Sequence, residues 1–585
     1  MTGQDENKGG ISSFSIGLGD GTPQAVPVSP PPPFRVLIAG DFGLPSNRGL
    51  LNITGLDVAE VLEENQPEFD VQSANGLGSH PAELEEHLAF GKVKDLRPAT
   101  IAGNFKFQRE IAAAKVDPDE LEAYGQRYDK LLARLRAGTA TTAEQTDTPR
   151  PSAGSTASDD ASSGSGTGEA VDGLDALFSM VNTPDKADKP SGNSEIAKAA
   201  VDAFVRKTLR EESQDFVKPP PAKKSSPQSE LADAQSRAFF AAPKLHTVME
   251  NWHGLKLLLS ELSLSLPFEL HLMQLDHDLA PDALADLIGG YDGALQAELY
   301  DVVLFANRTG VSGQDAECVK VITRECAESD TVGLIALQSD FSGVPGEELA
   351  DMEAAHQLLE EPGFESFQGL RGTDAASHVS LFWNDARLSS EEPAYPSVFA
   401  SAAWIALSRV IAQLANEVFP HLPVGVPADF DALEVEESVA MGRNVATAVR
   451  FHAGPGAAPS LAQCGINVLE GVANRTSLVF RRGVTLQPGK EGRGSLDQAL
   501  LVSRLFSLFQ EALGGALSPG QTADARVAAV ADSLGKLSAS LTGQVSFQVK
   551  RVQVEDQDLI NVTASVLGGW ASGQTHSFYL PAEDG

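Results

Sequence analysis

The segment HLMQLDHD gathers His271, Asp276, His277 and Asp278, residue types that ligate metals or move protons. On a strand, His271 and His277 would share a face but sit about 20 Å apart at ~3.3 Å per residue. Loop neighbours could still hold an ion, yet no second cluster completes a site, so no metal ligands are assigned. GLGDG at Gly17–Gly21 follows a strand-like run, as a dinucleotide loop would. TPQAVPVSPPPP stands next, where such a loop needs a helix N-terminus, so the reading is a turn. GVTLQPGKE at Gly483–Glu491 approaches a phosphate loop. It has one residue too many between its glycines, and Glu491 stands where Ser or Thr belongs. Asp340 follows a strand-like run, a place where a carboxylate commonly caps a helix. No G-x-S-x-G nucleophile turn occurs. The expectation is no enzyme: no catalytic residue, no cofactor site and no metal site.

Bulk properties narrow the partners. The 585 residues carry 44 Lys+Arg against 80 Asp+Glu, a formal charge of -36. Binding to phosphate backbones needs clustered cations, so nucleic acid is excluded as a partner. Cys318, Cys326 and Cys464 are the only cysteines. Three thiols make no disulfide framework, and a reducing cytoplasmic location is expected. MTGQDENKGG has no apolar core for a secretory signal. The most apolar stretch, VFASAAWIALSRVIAQLANEVF, carries Arg409 at its centre and reads as a buried helix rather than a membrane insertion.

The elements that would position any site are of mixed αβ class. Two low-complexity breaks divide them. Gly138–Asp172 is nearly all Ala, Ser, Thr, Gly and Asp, which cannot offset ordering entropy by burial. As a flexible coil its 35 residues would span roughly 30 Å. Lys218–Ser229 (KPPPAKKSSPQS) is stiffened by proline. Before the first break, SSFSIGLG alternates Phe14, Ile16 and Leu18 against small residues, a half-buried strand. Phe34–Ala39 reads as a strand and DVAEVLEEN as a helix. AELEEHLAFGKVKDL reads as polar helix or coil turning into a strand, and DELEAYGQRYDKLLARLRA closes the unit as a charged helix.

Between the breaks, GLDALFSMV places Leu174, Leu177, Phe178 and Val181 at i, i+3, i+4 and i+7, one apolar stripe on a short helix. SEIAKAAVDAFVRKTL follows as a second helix. Beyond the second break, HTVMENWHGLKLLLSEL is helical, FELHLMQL a strand, and ELYDVVLFAN and TVGLIALQS buried strands. Helices are expected at Gln314–Ser329 and Glu347–Glu360. The tail, from GQVSFQVKRVQVEDQDLINVTASVL to THSFYLP, is all strand-like. Strand-forming ends and a tethered apolar helix suit a chain that partners other chains.

Ordered landmarks carry a resemblance. PPFRVLIAGDFG and HLAFGKVKDLRPATI resemble the small subunit of the bacterial type VI secretion contractile sheath. MENWHGLKLLLSE, with its Trp-x-Gly-Leu helix, is similar to the large subunit. So are LLEEPGFESFQGLRGTDAASHVSLFWNDARL, CGINVLEGVANRTSLVF, LVSRLFSLFQEAL and the terminal VSFQVKRVQVEDQDLINVTASVL. The two subunits are normally separate chains; here Gly138–Asp172 would join them. The resemblance implies a multi-domain contractile-sheath fold. A small-subunit αβ domain occupies 1–137, a linker 138–172 and a helical region with the Pro-rich break 173–229. Large-subunit αβ domains follow at 230–432 and 433–585, the latter with the terminal strands. It implies a helical polymer of the chain around an inner tube protein, seated on a baseplate, with strands exchanged between neighbours. Phe14, Ile16, Leu18, Phe578, Tyr579 and Leu580 are the expected inter-protomer strand residues. Leu174, Leu177, Phe178 and Val181 are expected to be the handle for a Clp-class AAA+ unfoldase; the competing reading packs them within the protomer. A phage-tail-like contractile particle, or a non-contractile adaptor derived from one, is the alternative function.

Overall fold

The computed structural model describes residues 30–76, 82–109, 227–389 apart from 264, and 397–582 apart from 441–442, 488–493, 519 and 555–556. The described residues 30–76, 82–109 and those from 234 onward belong to one compact unit. The expected strand at Phe14–Leu18, the charged helix after Asp119 and the Leu174–Val181 helix lie outside the described residues.

The early part of the chain supplies β1 (Phe34–Gly40), β2 (Leu51–Asn52), α1 (Val58–Asn65), β3 (Glu68–Ala74), β4 (Glu83–Ala89) and α2 (Pro98–Asn104). The later part opens with α3 (Pro227–Phe240), α4 (Pro243–Glu261), β5 (Phe268–Gln274), α5 (Pro281–Gly289), α6 (Ala294–Ala297) and β6 (Val302–Thr309). It continues through α7 (Gly313–Glu328), β7 (Val332–Leu337), α8 (Gly346–Asp351), α9 (Glu365–Arg371), β8 (Val379–Trp383), β9 (Asp385–Arg387), β10 (Phe399–Ser401) and α10 (Ala402–Ala412). Then come β11 (Ala428–Asp429), β12 (Glu436–Ala440), β13 (Arg443–Thr447), α11 (Ala457–Ala462), β14 (Ile466–Gly471) and β15 (Ser477–Phe480). Two long helices, α12 (Leu496–Leu513) and α13 (Ala523–Ser540), lead to β16 (Val545–Val554), β17 (Gln557–Val566) and β18 (Thr575–Pro581).

The chain is mixed αβ. Its main sheet runs β11-β15-β14-β8-β7-β6-β1-β5-β2, parallel from β14 to β5. FRVLIAG, GLIAL and LFW are near-continuous apolar runs because a parallel strand is covered on both faces. On one face lie α5, α7, α9 and α11, around a core that includes Leu37, Phe305, Ile335 and Trp383. On the other lie α4, α10 and α12. Gly254 lets α4 approach α10 closely, since a Cβ there would come within 2.4 Å of the Trp404 indole nitrogen.

The central feature is the placement of β1. It precedes the Ala/Ser/Gly-rich stretch in sequence, yet it pairs with β5 on one side (Phe34↔Phe268 to Gly40↔Gln274) and β6 on the other (Val36↔Val302 to Ala39↔Phe305). Both parts of the chain therefore complete one sheet.

Three expectations change. ELEEHLA is the strand itself, and KVKDL is a short 3-10 turn at Val93–Leu96 rather than a strand. Leu84 and Leu88 are four apart, which suits both a helix face and a strand face. The choice falls to Glu86, which turns inward between them and accepts from the Lys106 and Phe107 amides at 2.7 and 3.2 Å. The expected helix Glu347–Glu360 is split into α8 and a 3-10 turn at Ala355–Glu360. The Ala350 carbonyl accepts from Gly454 at 2.8 Å, and the His356 amide donates to Ser460 Oγ at 2.9 Å. Distant partners thus take the groups a continuous helix would pair. Pro345 occupies the N-cap position of α8, so Asp340 caps no helix; its carbonyl accepts from Gly343 in a turn.

Candidate assembly surface

The residues that first suggested chemistry are dispersed into separate bonds. His271 Nδ1 lies 2.8 Å from the Tyr300 hydroxyl and 3.0 Å from Glu298. Asp276 accepts from Ser46 Oγ and Gln274 Nε2 at 2.7 and 3.0 Å. His277 is turned to Asp41 instead. A cavity of about 300 Å³ opens beside His277, Asp276, Asn307, Asp315 and Cys318 at the carboxyl ends of the strands. Burial pushes all three thiols, Cys318, Cys326 and Cys464, upward, so none is a poised thiolate. No cluster of three or more His, Cys, Asp or Glu fit to hold a metal occurs among the described residues.

Buried polar groups, His277 among them, instead fix both ends of β1. At its carboxyl end, the GDFG turn places Asp41 fully out of solvent. Its carboxylate receives Lys244 Nζ at 2.7 Å, Gln274 Nε2 at 3.0 Å and His277 Nδ1 at 3.1 Å. Burial alone would raise its pKa; His277, Lys244 and Gln274 outweigh burial and bring it down to about 2. The Gln274 side-chain oxygen accepts from the Phe42 and Leu44 amides, and Asn307 Oδ1 from the Asp41 amide at 2.7 Å. Gly43 holds φ +69°, and a Cβ there would strike the Phe69 ring at 2.4 Å, so this turn demands glycine.

At its amino end, a second buried cluster was not foreseen from sequence. Arg504 of α12 donates to the Pro33 and Pro32 carbonyls at 2.9 and 2.6 Å and pairs with Asp301 at 3.1 Å. Asp301 also accepts from the Arg35 amide at 2.8 Å and from Ser507 Oγ. Burial pushes the Asp301 carboxyl up against the opposing pull of Arg504, Ser507 and the Arg35 amide. A third cluster joins α4, β6 and β9. Arg308 forks onto Glu250 at 2.6 and 2.9 Å and reaches Asp385 at 2.6 Å, which also meets Arg450 at 3.3 Å. Isolated charges in apolar runs, such as Arg308 after VVLFAN and Arg504 within LLVSRLF, were the available sequence signal.

The terminal strands form a separate antiparallel sheet, β16-β17-β18, lying on α12 and α13. Ile560, Val562, Ala564 and Val566 alternate into that core, as a one-sided sheet requires. The Val566 amide bonds the Gln574 carbonyl at 3.0 Å and the Ala582 amide the Asp558 carbonyl at 2.9 Å. Bonding alternates along an antiparallel ladder, so the even-numbered positions of β18 face β17. The amides and carbonyls of Thr575, Ser577 and Tyr579 then point away from the sheet, and Pro581 presents a carbonyl with no N–H. No described strand pairs along this edge. The β16 edge is more covered: Ser538 Oγ takes the Val545 carbonyl, and α13 packs along the strand.

Of the residues expected at the joint, Phe578 and Leu580 face inward, half-buried; the Phe578 ring stacks on Phe509 at 5.1 Å. Tyr579 is on the outer face, 57% exposed. Phe14, Ile16, Leu18, Leu174, Leu177, Phe178 and Val181 lie outside the described residues. No described helix is long and apolar enough to cross a membrane.

No family model matches the chain, and no curated protein matches it. Among solved structures, it is similar to a chain of the anti-feeding prophage baseplate, seen by cryo-electron microscopy, at 12% identity and TM-score 0.33, covering 55% of this chain and 78% of that one. It is also similar to the sheath tail protein Lin1278 from Listeria innocua, at 10% identity and TM-score 0.30, covering 52% of this chain and 61% of that one.

Proposed function

We propose that this chain is a structural protomer of a type VI secretion contractile sheath, with the small and large subunits fused. It polymerises around an inner tube on a baseplate and contracts to propel that tube. The observation that carries the reading is the open edge of β18, on a sheet anchored to its own body by Phe578–Phe509 stacking. An open edge of this kind is a template for an added strand. The Phe14–Ile16–Leu18 strand of a neighbouring copy supplies it. Its alternate apolar residues extend the inward row of Phe578 and Leu580, while its backbone meets the outward groups of Thr575, Ser577 and Tyr579. Pro581 ends the register, because it offers no N–H. The placement of β1 between β5 and β6 supports the fusion: the small-subunit-like segment completes the large-subunit-like sheet. Contraction is a switch between two packings of the polymer, with no chemical step. A Clp-class unfoldase then clears spent polymer through the Leu174–Val181 helix.

The test is Tyr579→Pro, which removes one outward N–H from an exposed position, alongside deletion of Ile11–Leu18. Both proteins should remain folded by circular dichroism and form no tubes in negative stain. Tubes of normal length from either one overturn the reading.

A further inference from the structure

α12 touches both the strand with the open edge and the residues that lead into β1. Near its middle, Arg504 and Ser503 hold the place where the chain enters β1. Arg504 takes the Pro32 and Pro33 carbonyls at 2.6 and 2.9 Å, and Ser503 Oγ donates to the Asp301 carbonyl at 2.8 Å. The Arg504 guanidinium also lies over the Phe34 ring at 5.6 Å, and one helical turn later Ser507 reaches Asp301. On a different face the same helix carries the terminal sheet. Phe509 stacks on Phe578, and Leu505, Leu508 and Leu513 share a core with Ile560 and Val562. Gln498 lies 3.2 Å from His576. Arg504 and Phe509 are five residues apart, about 140° around the helix. α12 therefore presents one face to the base of the N-terminal segment and another to the strand with the open edge.

We propose that α12 is a strut that couples the strand received at β18 to the segment leaving at Pro32, with Arg504 as the positioning residue at the outgoing end. The inference rests on the strand-docking reading above. Its physical basis is that close-packed contacts pass displacement on rather than absorb it. The planar Arg504 fork, with two carbonyls and a carboxylate in fixed directions, has little freedom to yield. Docking of one neighbour then orders the base of the segment offered to the next, so that polymer growth is cooperative along the strand-exchange direction.

The experiment uses the full chain and a synthetic peptide of residues 11–20 in excess, read by amide hydrogen exchange. In the wild type, the peptide should slow exchange across Thr575–Pro581 and, at a distance, slow the Phe34–Leu37 amides at least threefold. Arg504→Met combined with Asp301→Asn removes the fork without stranding a buried charge. It should still bind the peptide, with affinity weakened by no more than about threefold because the coupling is reciprocal, and lose the effect at Phe34–Leu37. Phe509→Leu, a milder change at the other face, should reduce that effect likewise, and keeps the test open if the double variant does not fold. Peptide docking with no slowing at Phe34–Leu37 overturns the coupling while leaving strand docking intact. Slowing that survives undiminished in the variants overturns the role of α12. Failure of the peptide to protect β18 at all overturns both.

Discussion

Cutting the chain between its two parts should leave them together. The cut is made at a protease site inserted within Ser162–Gly168, and its cost follows from the geometry of β1. A covalent linker holds its ends at an effective concentration on the order of 1 mM. Against about 1 µM protein, losing the link is a factor of roughly 1,000, or ~4 kcal/mol. On the other side, Phe34, Val36, Leu37, Ile38 and Phe42 are all fully buried. At ~1.5–3 kcal/mol each they contribute about 8–15 kcal/mol of gross transfer free energy. Both hydrogen-bond ladders of β1 and the ligands of Asp41 come from the later part of the chain. A folded domain is typically stable by ~5–15 kcal/mol, so subtracting ~4 weakens the protein without separating it. The cleaved material should co-elute at about 1 µM on size exclusion. Its melting temperature should become concentration-dependent, with each tenfold dilution removing a further ~1.4 kcal/mol. Separate elution of two folded fragments at that concentration would refute the reasoning, because a strand in the middle of a sheet cannot leave without exposing β5 and β6.

Asp41→Asn should destabilise the protein by about 2–3 kcal/mol at neutral pH, on the order of the cost of moving the carboxyl from 3.8 to about 2. The carboxylate's folded pKa is depressed, so its contribution is fully present above about pH 4 and is lost as pH falls through about 2. Urea titrations of the wild type and variant should show the carboxylate's part of the gap fading only below about pH 4. Arg308→Met leaves Glu250 and Asp385 buried without their shared cation and should cost about 3–5 kcal/mol by the same titration. The double change Leu177→Asp and Phe178→Asp should leave tube assembly and contraction intact while contracted sheaths persist in the presence of the matching unfoldase and ATP. Clearance as fast as wild type would return that helix to ordinary packing within the protomer.

Much of the local structure was legible. Phe34–Gly40, Phe268–Gln274 and Val332–Leu337 announce buried strands as uninterrupted apolar runs, and DVAEVLEEN carries its own N-cap, with Asp57 and Glu60 forming a capping box. The tail alternates cleanly because only one face of its sheet is covered. Where a pattern suited two periods, as in ELEEHLA, the choice waited for Glu86 to find the Lys106 and Phe107 amides. Likewise the break after α8 depends on Gly454 and Ser460, about a hundred residues away. The candidate surface divides in the same manner. That Phe578, Tyr579 and Leu580 form a strand is a local property of alternating β-formers. That Tyr579 stands at an open edge while Phe578 is held by Phe509 depends on how α12 lies beneath the sheet. Strand order is the clearest case: nothing in FRVLIAG specifies that its neighbours begin at Phe268 and Val302. Apolar periodicity encodes whether a segment is buried, but its partners are set by long-range packing and by charges such as Asp41 and Asp301. Those charges are stable only where Lys244, His277 and Arg504 are brought to meet them.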